Sequence, residues 1–262
     1  MQNRDWSDSV TALSQARLQA TPLDDLPAQQ TPQSLEEAYA LQKALNKSLA
    51  TTILGRPVGY KIGCTTKVMQ EYLGIPHPCA GTLFNSSIQR TRGTYKRSDY
   101  CNPGVECEIA VVIGRDITDR DDLSQQTLAD SIVGICDSIE LVDSRWRDFS
   151  RVSTPLLVAE NFFNAGCVLS TPRAVDPNTM EQLVGTLIIN DETIGSGSGR
   201  DILGHPLAAL GWLAGHQIEQ GIPIRENDVV TLGSVVKSVW IDAGDEVRVI
   251  LSDVGEVSLL LE

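Results

Sequence analysis

The segment Pro103–Ile113 restricts most strongly what this chain can fold into. A Pro-Gly turn precedes a run of apolar and β-branched residues, which is the pattern of a strand. Side chains alternate between the faces of a strand, so Glu106 and Glu108 point the same way. Two carboxylates on one face repel each other and are costly to bury unless a positive charge lies between them. This face is therefore either a solvated strand edge or a site for a hard divalent cation such as Mg²⁺ or Mn²⁺.

Length and charge narrow the class of protein. The chain has 262 residues, of which 42% are hydrophobic, enough for one large domain or a domain with an appended segment. The net charge is -13, and the sequence shows no basic patch of the kind that nucleic-acid binders carry. We therefore expect no nucleic-acid partner, and an anionic substrate would need a local cation to hold it.

The cysteines and the hydropathy pattern predict the compartment. None of the six cysteines forms a Cys-x-x-Cys pair or a zinc-binding set, so free thiols in a reducing compartment are expected. The sequence shows no basic-plus-apolar signal segment and no apolar run of about 18 residues. We expect a cytoplasmic protein without a membrane partner.

The pattern of turns and apolar residues predicts a mixed α/β fold. Helices are expected in two parts of residues 1–50 and over 67–73, 123–133 and 206–220. Strands are expected around Glu106 and over 58–63, 138–142, 185–189, 229–232, 238–241 and 247–251. The glycine-rich run 195–199 is interpreted as a flexible loop or a subunit contact. Because strands and helices do not alternate regularly, a mixed sheet or roll is favoured over a Rossmann fold or a TIM barrel.

A third carboxylate, Glu140, stands alone in an otherwise apolar strand. A buried carboxylate without a partner is costly, so Glu140 either faces solvent at a strand end or joins Glu106 and Glu108 as a cation ligand. Asp137 and Asp143 compete with it for that role. Three carboxylates around a divalent cation would leave a net negative charge and open positions for water or substrate.

Two further residues have more than one interpretation. Lys61 lies between apolar residues in a glycine-bounded strand. It is a surface lysine, a cation that holds a substrate carboxylate, or an acid/base with a lowered pKa. His205, which precedes Pro206, either caps the following helix or contacts a ligand. No Gly-x-Ser-x-Gly motif is present, so a serine hydrolase is not expected.

The order of these motifs resembles a known family. It runs Gly-Tyr-Lys-Ile-Gly at 59–63, Gly-Thr-Leu-Phe at 81–84, Glu-Cys-Glu at 106–108, Ile-Glu-Leu-Val-Asp-Ser-Arg at 139–145 and Gly-His-Pro-Leu at 204–207. From about residue 34 onward, the chain resembles the 2-keto-4-pentenoate (2-hydroxypenta-2,4-dienoate) hydratases and 4-oxalocrotonate decarboxylases of the fumarylacetoacetate hydrolase superfamily. The resemblance implies a mixed β-roll domain, here 56–262, preceded by a helical segment, here 1–55.

The resemblance also implies roles for particular residues. The Mg²⁺ or Mn²⁺ ligands would be Glu106, Glu108 and Glu140. Lys61 would be an active-site residue, and substrate contacts are expected at Lys61, Leu83 and Ser234. The substrate would be a small 2-oxo or 2-hydroxy dienoic acid, and the subunits are expected to form ring-like homo-oligomers.

One position departs from the family pattern. The hydratases commonly carry Pro-Asp-x-Gly before the Thr-Leu-Phe segment, with the Asp as a proposed acid/base, and here Cys79 takes its place. A thiol is a weaker proton acceptor at neutral pH than a carboxylate, whereas decarboxylation needs no water activation. We expect a lyase that hydrates a 2-hydroxy-2,4-dienoate in aromatic catabolism, with Lys61 and Cys79 as catalytic candidates. The alternatives are a 2-oxo acid decarboxylase, an acylpyruvate C–C hydrolase and a non-catalytic family member.

Overall fold

Two β-sheets and six helices make up the part of the chain that the structure describes, residues 4–262 of a computed structural model. Residues 1–3, which belong to the predicted helical segment, lie outside it. The helices are α1 (Ser7–Gln19), α2 (Leu35–Leu49), α3 (Lys67–Leu73), α4 (Gln125–Asp130), α5 (Thr154–Ala159) and α6 (Pro206–Glu219). Over residues 4–262, none of them combines the length and the apolar character needed to cross a membrane.

Groups of consecutive strands belong in turn to the first and the second sheet. In order, they are β1 (Pro57–Gly63), β2 (Cys79–Phe84), β3 (Ile88–Arg90), β4 (Arg92–Tyr95), β5 (Pro103–Ile113), β6 (Ile132–Asp143), β7 (Asn164–Leu169), β8 (Val184–Ile189), β9 (Glu192–Ser198), β10 (Val229–Ser234), β11 (Val239–Trp240), β12 (Glu246–Leu251) and β13 (Gly255–Leu261). The first sheet has the order β2-β1-β10-β5-β6-β7-β3, with β11 added to β5. The second has the order β4-β13-β12-β8-β9. Parallel and antiparallel pairs occur in both sheets, which confirms the predicted mixed α/β class.

The antiparallel pair β5–β6 is the longest ladder of the first sheet and fixes which side chains share a face. Its register places Glu106 opposite Glu140 and Cys107 opposite Ile139. The odd-numbered apolar residues of β5, such as Ile109, pack in the core that also contains residues of the second sheet. By strand alternation, Glu106 and its same-face neighbours point away from the second sheet.

The other face of the first sheet is covered partly by helices. Buried side chains of α1, α2 and α5 form one apolar cluster with Cys79 and Phe84 of β2. Gln42 of α2 joins this layer to the sheet, because its buried amide donates to the backbone oxygens of Ala80, at 2.8 Å, and Val158, at 2.7 Å. Residues on both sides of position 55 share this cluster, and the domain boundary there stays a prediction.

Two predicted elements differ from the structure in length. The helix expected over 123–133 is the shorter α4, which ends at Asp130, and β6 already begins at Ile132. The β-branched residues Ile132 and Val133 favour a strand, and Ile132 pairs with Ile113 of β5. For the same reason, the strand expected over 138–142 is the end of a longer one. Strands β2, β3, β4, β7 and β13 and helix α5 were not predicted.

The glycine-rich run Gly195–Gly199 is not a loop, because most of it belongs to strand β9, which pairs with β8. Its glycines permit close contacts with neighbouring backbone. A Cβ at Gly197 would lie 1.9 Å from the carbonyl oxygen of Val235, and one at Gly199 would lie 2.0 Å from that of Met180. A glycine-rich sequence is required here by packing, so the interpretation as a flexible loop was wrong.

This packing predicts different effects for the same substitution at two positions of β9. Gly197→Ala is expected to lower the free energy of unfolding by about 1–3 kcal/mol, because a backbone carbonyl must move to admit the methyl group. Gly195→Ala is the matched control, since its Cβ would meet only a side-chain methyl of Val236, at 3.1 Å. Urea denaturation measures both, and equal losses would contradict the packing argument.

Candidate metal centre and active site

Three carboxylates converge on the face of the first sheet that points away from the second. Glu106 and Glu140 are paired across β5–β6, and Glu108 lies two residues further along the same face. One oxygen from each carboxylate can be chosen so that all three lie within 4.8 Å of one another. Glu140 is fully buried, Glu108 is 1% exposed, and Glu106 is partly exposed. The interpretation of a solvated strand edge therefore does not fit this face.

The two aspartates that competed with Glu140 have other partners. Asp137 lies on the opposite face, where it accepts hydrogen bonds from the backbone N–H of Leu251, at 2.7 Å, and from Ser170 Oγ, at 2.9 Å. Asp143, at the end of β6, accepts from the backbone N–H of Asn102 at 2.7 Å. Of the three acids on β6, only Glu140 joins the cluster.

The carboxylate cluster leaves buried acceptor atoms unsatisfied. Within residues 4–262, Glu108 Oε1 and Glu140 Oε2 have no hydrogen-bond partner. The second oxygen of Glu108 accepts from the backbone N–H of Gly233 at 3.1 Å, and that of Glu140 accepts from Asn164 Nδ2 at 2.9 Å. Ser238 donates to Glu106. Buried acceptors without partners are costly, and hard oxygen donors fit Mg²⁺ or Mn²⁺, so these residues suit a divalent cation.

Lys61 supplies positive charge next to the carboxylates. Its side chain is buried, with Nζ 3.3 Å from Glu140 Oε1 and 5.2 Å from the ring centroid of Phe162. Burial disfavours the ammonium form, but the carboxylates of Glu140, Glu106 and Glu108 outweigh it and raise the pKa of Lys61 above its usual value. Of the interpretations from sequence, this geometry favours a fixed cation over a base with a lowered pKa.

Burial and the neighbouring charges also raise the pKa values of two carboxyl groups of the cluster. Burial, followed by the charge of Glu140, raises the pKa of Glu106, and burial with the charges of Glu140 and Glu106 raises the pKa of Glu108 well above its usual range. The ammonium of Lys61 opposes both shifts. A bound cation would favour the ionised forms, because opposite charge lowers a carboxyl pKa.

Cys79 lies near Lys61 on the same face of the sheet. It pairs with Gly63 of β1, two residues after Lys61, and its Sγ is 3.6 Å from Cys64 Sγ. Burial, together with the neighbouring Cys64, raises the pKa of Cys79 well above its usual value. This shift favours the neutral thiol over the thiolate, so Cys79 is poorly suited to accept a proton from water.

The other predicted residues have contacts of their own. Leu83 is fully buried in an apolar cluster with Ala110 and Cys136. Ser234 donates to the carbonyl oxygens of Cys107 and Val236. Their roles as substrate contacts stay predictions. His205 directly precedes α6, and its Nδ1 accepts from the N–H of Leu207 at 3.0 Å, as the capping interpretation predicts.

Several polar residues of the site were not found from the sequence. Ser138 is paired opposite Glu108, and Thr231 is paired opposite Lys61. Their hydroxyls, and Asn164 Oδ1, are buried and have no partner within residues 4–262. None of these residues belongs to a recognisable motif, because strands distant in sequence bring them together. They leave polar atoms near the carboxylates that water or a polar ligand can satisfy.

The fold and the site define a protein with a mixed β-roll that carries a buried acidic site next to a lysine. Residues 73–259 match the family model for the fumarylacetoacetate (FAA) hydrolase C-terminal domain. The chain belongs to the fumarylacetoacetate hydrolase family. This membership confirms the predicted superfamily and the predicted type of fold.

The relatives of the chain include hydratases, and a decarboxylase structure has a similar fold. The chain is 34% identical over 224 residues to a 2-keto-4-pentenoate hydratase of Burkholderia vietnamiensis, covering 84% of this chain and 83% of the relative. It is 30% identical over 253 residues to that of Paraburkholderia xenovorans, covering 95% and 92%. A solved structure of 4-oxalocrotonate decarboxylase from Pseudomonas putida G7, complexed with magnesium and adipate, has a TM-score of 0.88 at 22% identity, with 98% of each chain covered. The resemblance to these two groups is confirmed.

The charge balance predicts that Lys61 stabilises the metal-free protein. In a chelating buffer, Lys61→Met is expected to lower the free energy of unfolding by about 3–5 kcal/mol, because the buried carboxylates lose their cationic neighbour. The control is Lys67→Met, which removes an exposed lysine on α3. Urea denaturation is expected to show little change for the control.

The stability lost in Lys61→Met is expected to depend on pH. A carboxyl group whose pKa is raised in the folded state binds more protons there than in the unfolded state. The free energy of unfolding therefore falls as the pH rises from the pKa of the unfolded state toward that of the folded state. Lys61 opposes the raised pKa values, so its removal should steepen this fall. The loss in Lys61→Met should be larger at about pH 8 than at about pH 5. A loss independent of pH would contradict this account of the charges.

Proposed function

We propose that this protein is a divalent-metal-dependent hydratase that adds water to a 2-hydroxy-2,4-dienoate, or its 2-oxo-4-enoate tautomer, in the breakdown of aromatic compounds. The observation that carries the proposal is the cluster of Glu106, Glu108 and Glu140, with two buried oxygens lacking a partner, next to Lys61. The hydratase names of relatives at 30% and 34% identity over most of the chain support the reaction class.

The metal in this proposal is Mg²⁺ or Mn²⁺, held by the three glutamates. When bound there, it supplies a Lewis acid for the C1 carboxylate and C2 oxygen of the substrate. The oxygen-only donor set supports this choice, and so do the magnesium and Mn²⁺ complexes of two proteins with a similar fold.

The residues around the cluster would position the substrate and move its protons. Lys61, as a buried ammonium, holds the substrate carboxylate or the negative charge that develops on the C2 oxygen. Cys79, as a protonated thiol, is placed to donate a proton as the dienol becomes the ketone. The buried hydroxyls of Ser138 and Thr231 offer positions for the substrate or the added water.

Decarboxylation of a 4-oxalocrotonate-type 2-oxo acid is the second candidate. Cys79 favours it, because loss of carbon dioxide needs no carboxylate to activate water. The same site would receive the electrons of the departing carboxylate at the 2-oxo group, and Lys61 would balance the charge formed there. The similar fold of the decarboxylase structure is compatible with this reaction and does not select it over hydration.

The two reactions are separated by an ultraviolet assay with Mg²⁺. 2-Hydroxypenta-2,4-dienoate and 2-oxohex-3-enedioate are supplied in parallel, with Glu106→Gln as the inactive control. We expect the dienoate to disappear with formation of a hydroxy-oxo acid, and Glu106→Gln to lose on the order of 100-fold or more in rate. Carbon dioxide from the diacid alone would establish the decarboxylase instead. No turnover of either compound would contradict both.

A binding measurement tests the metal separately from turnover. Mg²⁺ at about 100 times its dissociation constant is expected to raise the free energy of unfolding by about 2.7 kcal/mol. Glu108→Gln should lose this response without losing metal-free stability, because it removes a repelling buried charge. Asp137→Asn is the matched control, since it changes a carboxyl on the opposite face of the same ladder and should keep the response. A response retained in Glu108→Gln would exclude that ligand.

A further inference from the structure

Two cysteines are in contact at the edge of the candidate site. Cys64 follows β1 directly, and Cys79 begins β2. Their sulfur atoms are 3.6 Å apart, and the two residues are 7% and 1% exposed. Cys64 has a φ of +58°, in the left-handed region, at the position where the β1–β2 ladder has ended. All six cysteines lie within the described residues, and this is the pair whose sulfur atoms touch.

This contact is close to the geometry of a disulfide. An S–S bond is about 2.05 Å long, so the two sulfurs must approach by about 1.5 Å, which side-chain rotations at both residues can supply. The backbone of both residues is anchored nearby. Gly63 pairs with Cys79 in the sheet, and Gln70 of α3 donates to the Cys64 carbonyl oxygen at 3.0 Å. The backbone therefore holds the two cysteines next to each other.

We propose that Cys64 and Cys79 form a reversible disulfide when a peroxide oxidises them, and that this bond switches off the neighbouring active site. Formation of the bond depends only on the two thiols and the peroxide. Its effect on turnover rests on the proposed function, in which Cys79 donates a proton.

The oxidation balances with hydrogen peroxide as the oxidant. Cys64, the more exposed thiol, attacks one peroxide oxygen; the O–O bond breaks, one water leaves, and Cys64 becomes a sulfenic acid. The sulfur of Cys79 then attacks the Cys64 sulfur, the S–O bond breaks, and a second water leaves. The two thiols together lose two electrons and two protons, and the peroxide is reduced to two waters. A dithiol reductant restores both thiols by exchange.

The position of the bond explains why it would stop turnover. Cys79 lies on the face that carries Lys61, and the charge of Lys61 acts on its thiol. In the disulfide, Cys79 has no proton to donate, and its sulfur is drawn toward Cys64. The bond also ties the end of β1, the strand that carries Lys61, to the start of β2.

The experiment treats the Mg²⁺-loaded protein with hydrogen peroxide, alkylates the remaining thiols with iodoacetamide and maps the peptides by mass spectrometry. We expect a linked Cys64–Cys79 peptide pair whose mass is lower by two hydrogens. Turnover should fall by on the order of 100-fold and return after dithiothreitol. Both cysteines alkylated after peroxide, or Cys79 oxidised to a sulfinic acid without a link, would overturn the proposal.

Two variants separate the switch from general oxidation damage. Cys64→Ser, compared with its own untreated activity, is expected to lose the sensitivity to peroxide. Cys101→Ser changes a partly exposed cysteine outside the pair and should stay as sensitive as the unchanged protein. A link that leaves turnover unchanged, or equal sensitivity in Cys64→Ser, would overturn the switch. If neither substrate is turned over, the peptide masses still report the bond, so failure of the proposed function is distinguishable.

Discussion

The repulsion among three carboxylates on one sheet face is the constraint on which the rest of the site depends. The β5–β6 register holds Glu106 opposite Glu140, and Glu108 shares their face, so the charges cannot separate without breaking the ladder. Lys61 relieves part of the repulsion at 3.3 Å from Glu140. One ammonium against three carboxylates leaves the balance negative, and this makes the site a natural host for a divalent cation.

The fold stabilises this costly arrangement from outside the cluster. The second sheet and its apolar core cover the opposite face of β5 and β6, so that ladder is buried on that side. Gly233, Ser238 and Asn164 each donate to one carboxylate and fix its orientation. These donors come from strand ends and loops, whereas the carboxylates come from the centre of the longest strands. The ladder and its donors together hold the three carboxylates in place.

Strand alternation was sufficient to predict that Glu106 and Glu108 share a face, and motif order was sufficient to predict the family. Without the family resemblance, which implied Glu140, the choice of Glu140 over Asp137 and Asp143 depends on cross-strand register, which a single strand does not encode. Asn164 and Ser138 could not be found, because their contacts join segments that are far apart in sequence. The glycines of β9 were misread, because the same residue serves flexible loops and close backbone packing.

Cys79 is the position at which the candidate site departs from the family pattern. Burial and the contact with Cys64 raise the pKa of its thiol, which favours the neutral form where the family pattern has a carboxylate. In the proposed function, hydration and decarboxylation both use the cation site and Lys61. The metal site is therefore the part of the account that both reactions share, and it decides whether the chain is an enzyme of this kind.

The most direct test of that site is anomalous diffraction from crystals of the protein grown with Mn²⁺. We expect one strong anomalous peak at about 2.0–2.2 Å from oxygens of Glu106, Glu108 and Glu140, with Lys61 outside the metal's coordination shell. A peak elsewhere, or none between these three carboxylates at saturating Mn²⁺, would contradict the central claim.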